Sequence, residues 1–235
     1  MSTTVQIFVL FNSVFIGGLL VALLKKSSNL KLLLSFSGGY LLTIIFTHIL
    51  PDIYIDNGPT VGFYILVGFL VQLVLEYFSQ GAEHGHTHTH GLKKSFPLII
   101  FLSLSLHAFI EAIPVVSSHA GHGHHQTNGL FWGIFLHKVP VAIALMTIFK
   151  TNGLSVFKSW FYLALFGLTA PLGLWFGDYL IKNTNFETAW IMAIAVGMFL
   201  HISTTIIFES SEEHKINFLK LMAIIAGFVL GTSLN

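Results

Sequence analysis

The sequence predicts an all-α, polytopic membrane protein with about eight transmembrane helices. Three observations carry this. The 235 residues are 54% apolar and only 9% charged, where a soluble domain carries about a quarter charged residues. Many apolar runs approach the ~20 residues that a helix needs to cross the hydrocarbon of a bilayer. Within those runs the apolar residues are continuous and do not alternate, which argues against barrel strands.

The spans, delimited by polar or Pro/Gly-rich breaks, fall at 4–24, 30–50, 59–79, 95–116, 128–149, 155–177, 186–208 and 216–234. The first follows "MSTTVQ", without a positive n-region, and precedes Lys25 and Lys26. It reads as a retained span with its amino end outside, not as a cleaved signal peptide. The chain has no cysteine, which excludes disulfides and thiolate metal ligands.

Eleven basic residues, all lysine, give the orientation. Lys25, Lys26 and Lys31 follow helix 1, Lys93 and Lys94 follow helix 3, Lys150 and Lys158 follow helix 5, and Lys215 follows helix 7. Loops 2–3 and 4–5 hold none, and loop 6–7 holds only Lys182. The positive-inside bias then places both termini outside and the odd-numbered loops in the cytoplasm. Near-neutral net charge gives no reason to expect a nucleic-acid partner.

The whole chain, 1–235, reads as one transmembrane domain with two His-rich loops. "GAEHGHTHTHG" (81–91) is expected to be cytoplasmic and offers His84, His86, His88 and His90. "SSHAGHGHHQTNG" (117–129) is expected to be outside. Such tracts collect transition metals or serve as solvated linkers, and their composition suits a flexible segment more than a packed core. "GGYLLTIIFTHILPDI" in helix 2 echoes "VGMFLHISTTIIFESS" in helix 7. Copies five helices apart cross the membrane in opposite directions, as in an inverted repeat of helices 1–3 and 6–8 around helices 4–5.

Ionisable groups inside apolar helices are costly, about 2.5–3.5 kcal/mol each at mid-span on insertion scales, and point to function. "LHAFIEAIP" places His107 and Glu111 one turn apart on one face of helix 4. "FLHKVPVAI" adds His137 at the middle of helix 5. Two imidazoles and a carboxylate suit zinc and related divalent metals; the bland alternative is a hydrogen-bond network that only joins helices. Lys138 either fills the place of a second cation or pairs with Glu111. Pro140 either frees a carbonyl or widens the groove, or is an ordinary kink. His48 and Asp52 bracket the end of helix 2, and His201, Thr205 and Glu209 share a face of helix 7. Each of these sets reads as an entrance or exit group or as a solvated cluster. Glu76 reads as a side chain that snorkels to the interface.

On these motifs the chain resembles the ZIP (Zrt/Irt-like) metal transporters along nearly its whole length. "HAFIEA" resembles the family's fourth-helix pattern at His107 and Glu111, and "HKVPV" its fifth-helix pattern at His137 and Pro140. "THILPDI" is similar to the end of its second helix, and "GMFLHIS" to its seventh helix. Ala108, Lys138 and Val141 depart from it, replacing the usual asparagine, acid, and histidine or glutamate. The resemblance implies eight helices, a His-rich loop between helices 3 and 4, and inward movement of zinc, or of iron or manganese, by alternating access. A single central metal would be held by His107, Glu111 and His137. His48 and Asp52 would admit it and the histidines of 81–91 receive it. Metal is then cargo, with no cofactor expected. The partners are divalent ions and the lipid bilayer, with a homodimer left open. An intramembrane metal-dependent hydrolase and a non-transporting metal sensor are the rival readings.

Overall fold

The computed structural model describes residues 1–23, 30–84, 96–117, 127–184, 188–209 and 217–233. They are helical, with no strand among them. Helix α1 is Thr3–Leu23. Helix α2 runs as Leu30–Ile44, a π-helical turn Ile45–Ile49 and Leu50–Asn57. Helix α3 is Val61–Ser79, followed by a 3-10 turn at Ala82–His84. Helix α4 is Leu98–Ala112, continued by the short Pro114–Ser117; α5 is Thr127–Thr151, α6 Val156–Asn183, α7 Thr188–Glu209 and α8 Phe218–Ser233.

Among the described residues, six runs are long and apolar enough to cross a membrane: Thr3–Leu23, Leu30–Ser79, Leu98–Val116, Gly129–Thr151, Val156–Asn183 and Ala189–Phe208. The chain is therefore an all-α, polytopic membrane protein. The run Leu30–Ser79 holds 50 residues, about 75 Å if straight, far more than the ~30 Å of hydrocarbon. Gly58, at φ 68°, breaks it between α2 and α3. Helix α8 is a shorter apolar helix.

Prolines move two boundaries from those expected. Helix α2 does not stop at residue 50. Pro51 has no N–H and crowds the carbonyl four residues back, and the ladder widens there, with Leu50 N–H reaching Ile45 O. Helix α4 breaks at Ile113, two residues past Glu111, because Pro114 cannot bond Ile110 O. Ile113 N donates to that oxygen instead, at 3.2 Å.

Helices α5 and α4 form the centre, with 72% and 61% of their spans buried, against 39% or less in α1, α2–α3 and α6. Around them α2 packs most extensively on α8, and α3 on α7; α1 lies along α5 and α6, and α4 along α6. Lipid is as apolar as these side chains, so close packing must come from small residues. Gly68 on α3 faces Ile194, and Gly197 on α7 faces Ile65 and Phe69; Gly39 and Gly227 do the same between α2 and α8. Large apolar side chains such as Phe8, Phe63, Phe157 and Trp175 stay exposed on the outside, which suits hydrocarbon.

Two lysines close helix ends. Lys150 Nζ donates to Val21 O at the end of α1, at 3.4 Å, and Lys220 Nζ to Ile207 O near the end of α7, at 2.8 Å. Each satisfies a terminal carbonyl that has no partner within its own helix.

A Cβ on Gly197 would overlap Ile65 O, which is backbone and cannot turn aside. Gly197→Leu is expected to destabilise the α3–α7 pair by about 1–3 kcal/mol, read as a lowered unfolding midpoint in detergent. Gly167→Ala, whose Cβ would meet Phe11 at an ordinary 3.4 Å, is the control and should leave the midpoint unchanged.

Candidate metal centre

The rise of an α-helix stacks His107 and Glu111 on one face of α4, and that face points into the bundle. The two are 1% and 2% exposed. His107 Nε2 lies 3.2 Å from Glu111 Oε2. Helix α5 brings His137 and Lys138, both buried. The His137 ring stands nearly perpendicular to that of His107, centroids 6.1 Å apart, and neither of its nitrogens has a hydrogen-bond partner among the described residues. Lys138 Nζ donates to Glu111 Oε1 at 3.4 Å and lies 5.0 Å from the centre of the Phe166 ring. Of its two sequence readings, the ion pair with Glu111 is the contact the structure makes. Pro140 lies inside an unbroken α5.

A second group lies where α3 ends. Glu76 Oε2 is 3.3 Å from His84 Nε2 and 3.2 Å from His201 Nδ1. One ligand atom from each of Glu76, His84 and His201 falls within 4.8 Å of the other two. Among the described residues this is the tightest gathering of metal-capable side chains; His107, Glu111 and His137 form a looser one. His84 and His201 were expected as peripheral groups. Glu76 does not snorkel away: it is the carboxylate that joins them, with its side chain 20% exposed.

The start of the 81–91 segment also departs from the flexible loop its composition suggests. Ala82, Glu83 and His84 are all buried, because the turn they form tucks against α3, α5 and α7. Gln80 and Gly81, both with positive φ, reverse the chain into it. Between the two groups lies Gln72 of α3. Its Nε2 donates to Glu83 Oε2 at 2.9 Å and its Oε1 lies 2.8 Å from His107 Nδ1.

Other expected groups lie apart. His48 and Asp52 are half-buried on α2, where His48 Nδ1 meets Thr47 Oγ1. Thr205 Oγ1 donates to His201 O within α7. Glu209 closes α7. His86, His88 and His90, with most of the second His-rich segment, lie outside the described residues.

Sequence reasoning missed Gln72 and Glu83 and misjudged Glu76. The i, i+4 spacing of Gln72 and Glu76 was the available signal, since it puts two polar groups on one face of an otherwise apolar helix.

Both groups offer two imidazoles and one carboxylate, a donor set that suits zinc and its neighbours. Comparison with known proteins finds transporters named for zinc and for metal cations. The zinc transporter ZIP1 of Danio rerio is 23% identical over 257 residues, covering 85% of this chain and 82% of that protein. The metal cation symporter ZIP14 of Homo sapiens is 30% identical over 121 residues, 49% of this chain and 23% of that protein; ZIP14 of Xenopus tropicalis is 29% identical over the same length. The family model described as ZIP zinc transporter matches residues 85–235, which hold α4 to α8 and the His107, Glu111 and His137 group. The chain belongs to the ZIP family of metal transporters.

Proposed function

We propose that the chain moves a divalent metal ion toward the cytoplasm through a site between α4 and α5, with zinc the foremost cargo and iron or manganese the alternatives. The observation that carries this is a buried donor set linked, through Gln72 and Glu83, to the turn that carries His84 of a second, partly exposed set. His107, Glu111 and His137 sit in the two most buried helices. Glu76, His84 and His201 stand at the end of α3. The segment after that end carries Lys93 and Lys94, so the positive-inside bias turns the second group to the cytoplasm. His48 and Asp52 then lie toward the other side, near the widened turn of α2.

The pairing of helices supports the inverted repeat. Exchanging α1 with α6, α2 with α7, α3 with α8 and α4 with α5 converts the α2–α8 contact into α7–α3, and α1–α5 into α6–α4. Two such halves around α4 and α5 give a plan for alternating access. At the centre, Lys138 occupies one oxygen of Glu111, so a single metal binds there while the ammonium stands in for a second.

Proteoliposomes holding a trapped zinc-sensitive dye test the path. Uptake should fall to the level of empty liposomes in His107→Ala and in Glu111→Gln. Uptake equal to the native rate in either variant would put the path elsewhere. The role of Lys138 is read separately, from the metal content of purified protein. Lys138→Glu is expected to hold one more zinc ion per chain than the native protein; an unchanged ratio would show that the ammonium is no stand-in.

A further inference from the structure

Gln72 is fully buried, on a helix that supplies none of the three central ligands. Its amide is engaged at both ends. An amide nitrogen only donates and an amide oxygen only accepts. The contact with Glu83 therefore belongs to Nε2, and Oε1 is left for His107. An acceptor at 2.8 Å requires the hydrogen of His107 to sit on Nδ1. A neutral imidazole has one N–H, so Nε2 keeps its lone pair.

That lone pair faces Glu111 Oε2 across 3.2 Å. Beyond this contact, neither atom has a hydrogen-bond partner among the described residues. Two acceptors in contact inside a buried site are satisfied by a cation between or beside them, either a divalent metal or a shared proton. The bridge from α3 thus prepares the nitrogen that a metal would use.

We propose that Gln72 and Glu83 are positioning residues of the central metal site: the chain Glu83–Gln72–His107 holds His107 in the tautomer that presents Nε2 to the metal. This rests on the proposed transport reading of His107. A metal-bound histidine ordinarily donates its other N–H to a carboxylate, a carbonyl or a water. Here a carboxylate acts through an amide, which spans the gap from the 3-10 turn to α4. Glu83 shares that turn with His84, so seating the turn completes the central site and places a ligand of the second one in the same movement.

The test is zinc uptake as a function of zinc concentration in proteoliposomes, for four proteins beside the native one: His107→Ala, Gln72→Leu, Gln72→Glu, and Gln72→Glu combined with Glu83→Gln. Removing an outer partner of a metal ligand costs about 10- to 100-fold in affinity or activity. Gln72→Leu should raise the half-saturating zinc concentration by that factor and change the maximal rate much less. Gln72→Glu alone sets two carboxylates face to face and should be as poor. The double variant restores both hydrogen bonds in exchanged order. The new carboxylate at position 72 accepts from His107 Nδ1, and the new amide at position 83 donates to it. Half-saturation should return close to the native value, a recovery that mere packing at position 72 would not give.

An unchanged half-saturation in Gln72→Leu, with uptake abolished in His107→Ala, would overturn the proposal and leave transport standing. A double variant no better than Gln72→Glu would also overturn it. If the native protein took up no zinc, the transport reading would fail by itself. Zinc binding would then decide, measured against a competing dye in purified protein carrying Glu76→Gln and His201→Ala. A loss of 10- to 100-fold on adding Gln72→Leu supports the bridge, and an equal affinity sinks it.

Discussion

The carboxylate of Glu111 is the constraint around which the centre of the bundle is organised. An ionised carboxylate among helices that face lipid has no water to stabilise it, and it persists only beside a cation or cation-binding partner. One oxygen of Glu111 meets the Lys138 ammonium and the other faces His107 Nε2. Each of those groups is in turn tied to a further element. Lys138 lies against Phe166 of α6, and His107 is held by Gln72 of α3. A single buried charge thus fixes the relative placement of α3, α4, α5 and α6. The same demand explains why α4 and α5 are the most buried helices. The helices that carry the ionisable side chains cannot be the ones that face hydrocarbon.

Holding those groups at bonding distance requires the neighbouring backbones to come close, and glycine permits it on both sides of the site. Gly17 of α1 meets Val139 and Ala142 of α5, immediately after His137 and Lys138. Gly173 of α6 meets Phe109 and Ala112 of α4, on either side of Glu111 in sequence. The contacts correspond under the exchange of α1 with α6 and α4 with α5. Proline removes one backbone donor within a turn of the ligands on each helix, at Pro114 and Pro140; α4 breaks there, whereas α5 runs on unbroken.

The helical, membrane-spanning class and the shared face of His107 and Glu111 were legible because their signals are local. A run of about 20 apolar residues, or His107 and Glu111 at i, i+4, is visible within one helix. What was not legible depends on tertiary seating. Gln72 is 35 residues from His107 and 11 from Glu83, and its i, i+4 neighbour Glu76 marks a polar face without naming either distant partner. Glu76 lies near a helix end, where snorkelling is the usual fate of a long acidic side chain. Only the arrival of His201 from α7 and of His84 from the turn gives it another. The 81–91 segment, rich in Gly, Thr and His, has a linker's composition; the burial of Glu83 and His84 comes from the concavity between α3, α5 and α7, which no local pattern records. At α2 the stop expected at Pro51 failed because a π-turn relieved the proline, so the helix did not end.

The two donor sets contain the same residue types and differ in their fixed charge. At the centre, the single carboxylate is opposed by the Lys138 ammonium at 3.4 Å. At the end of α3, the Glu76 carboxylate stands between two imidazoles, and a second buried carboxylate, Glu83, occupies the adjoining turn. In a medium less polar than water, opposite charges a few ångströms apart attract far more strongly than in bulk, so the balance of fixed charge outweighs small differences in ligand geometry. Within the proposed transport path, a divalent ion at the centre meets a carboxylate already half-committed to lysine. Further along it meets Glu76 beside two imidazoles and Glu83 beside an amide. On that proposal, the lysine weakens the hold of the first site. Within the proposed path, a site that binds and then yields suits passage, and Lys138 supplies that yielding while His107, Glu111 and His137 all remain.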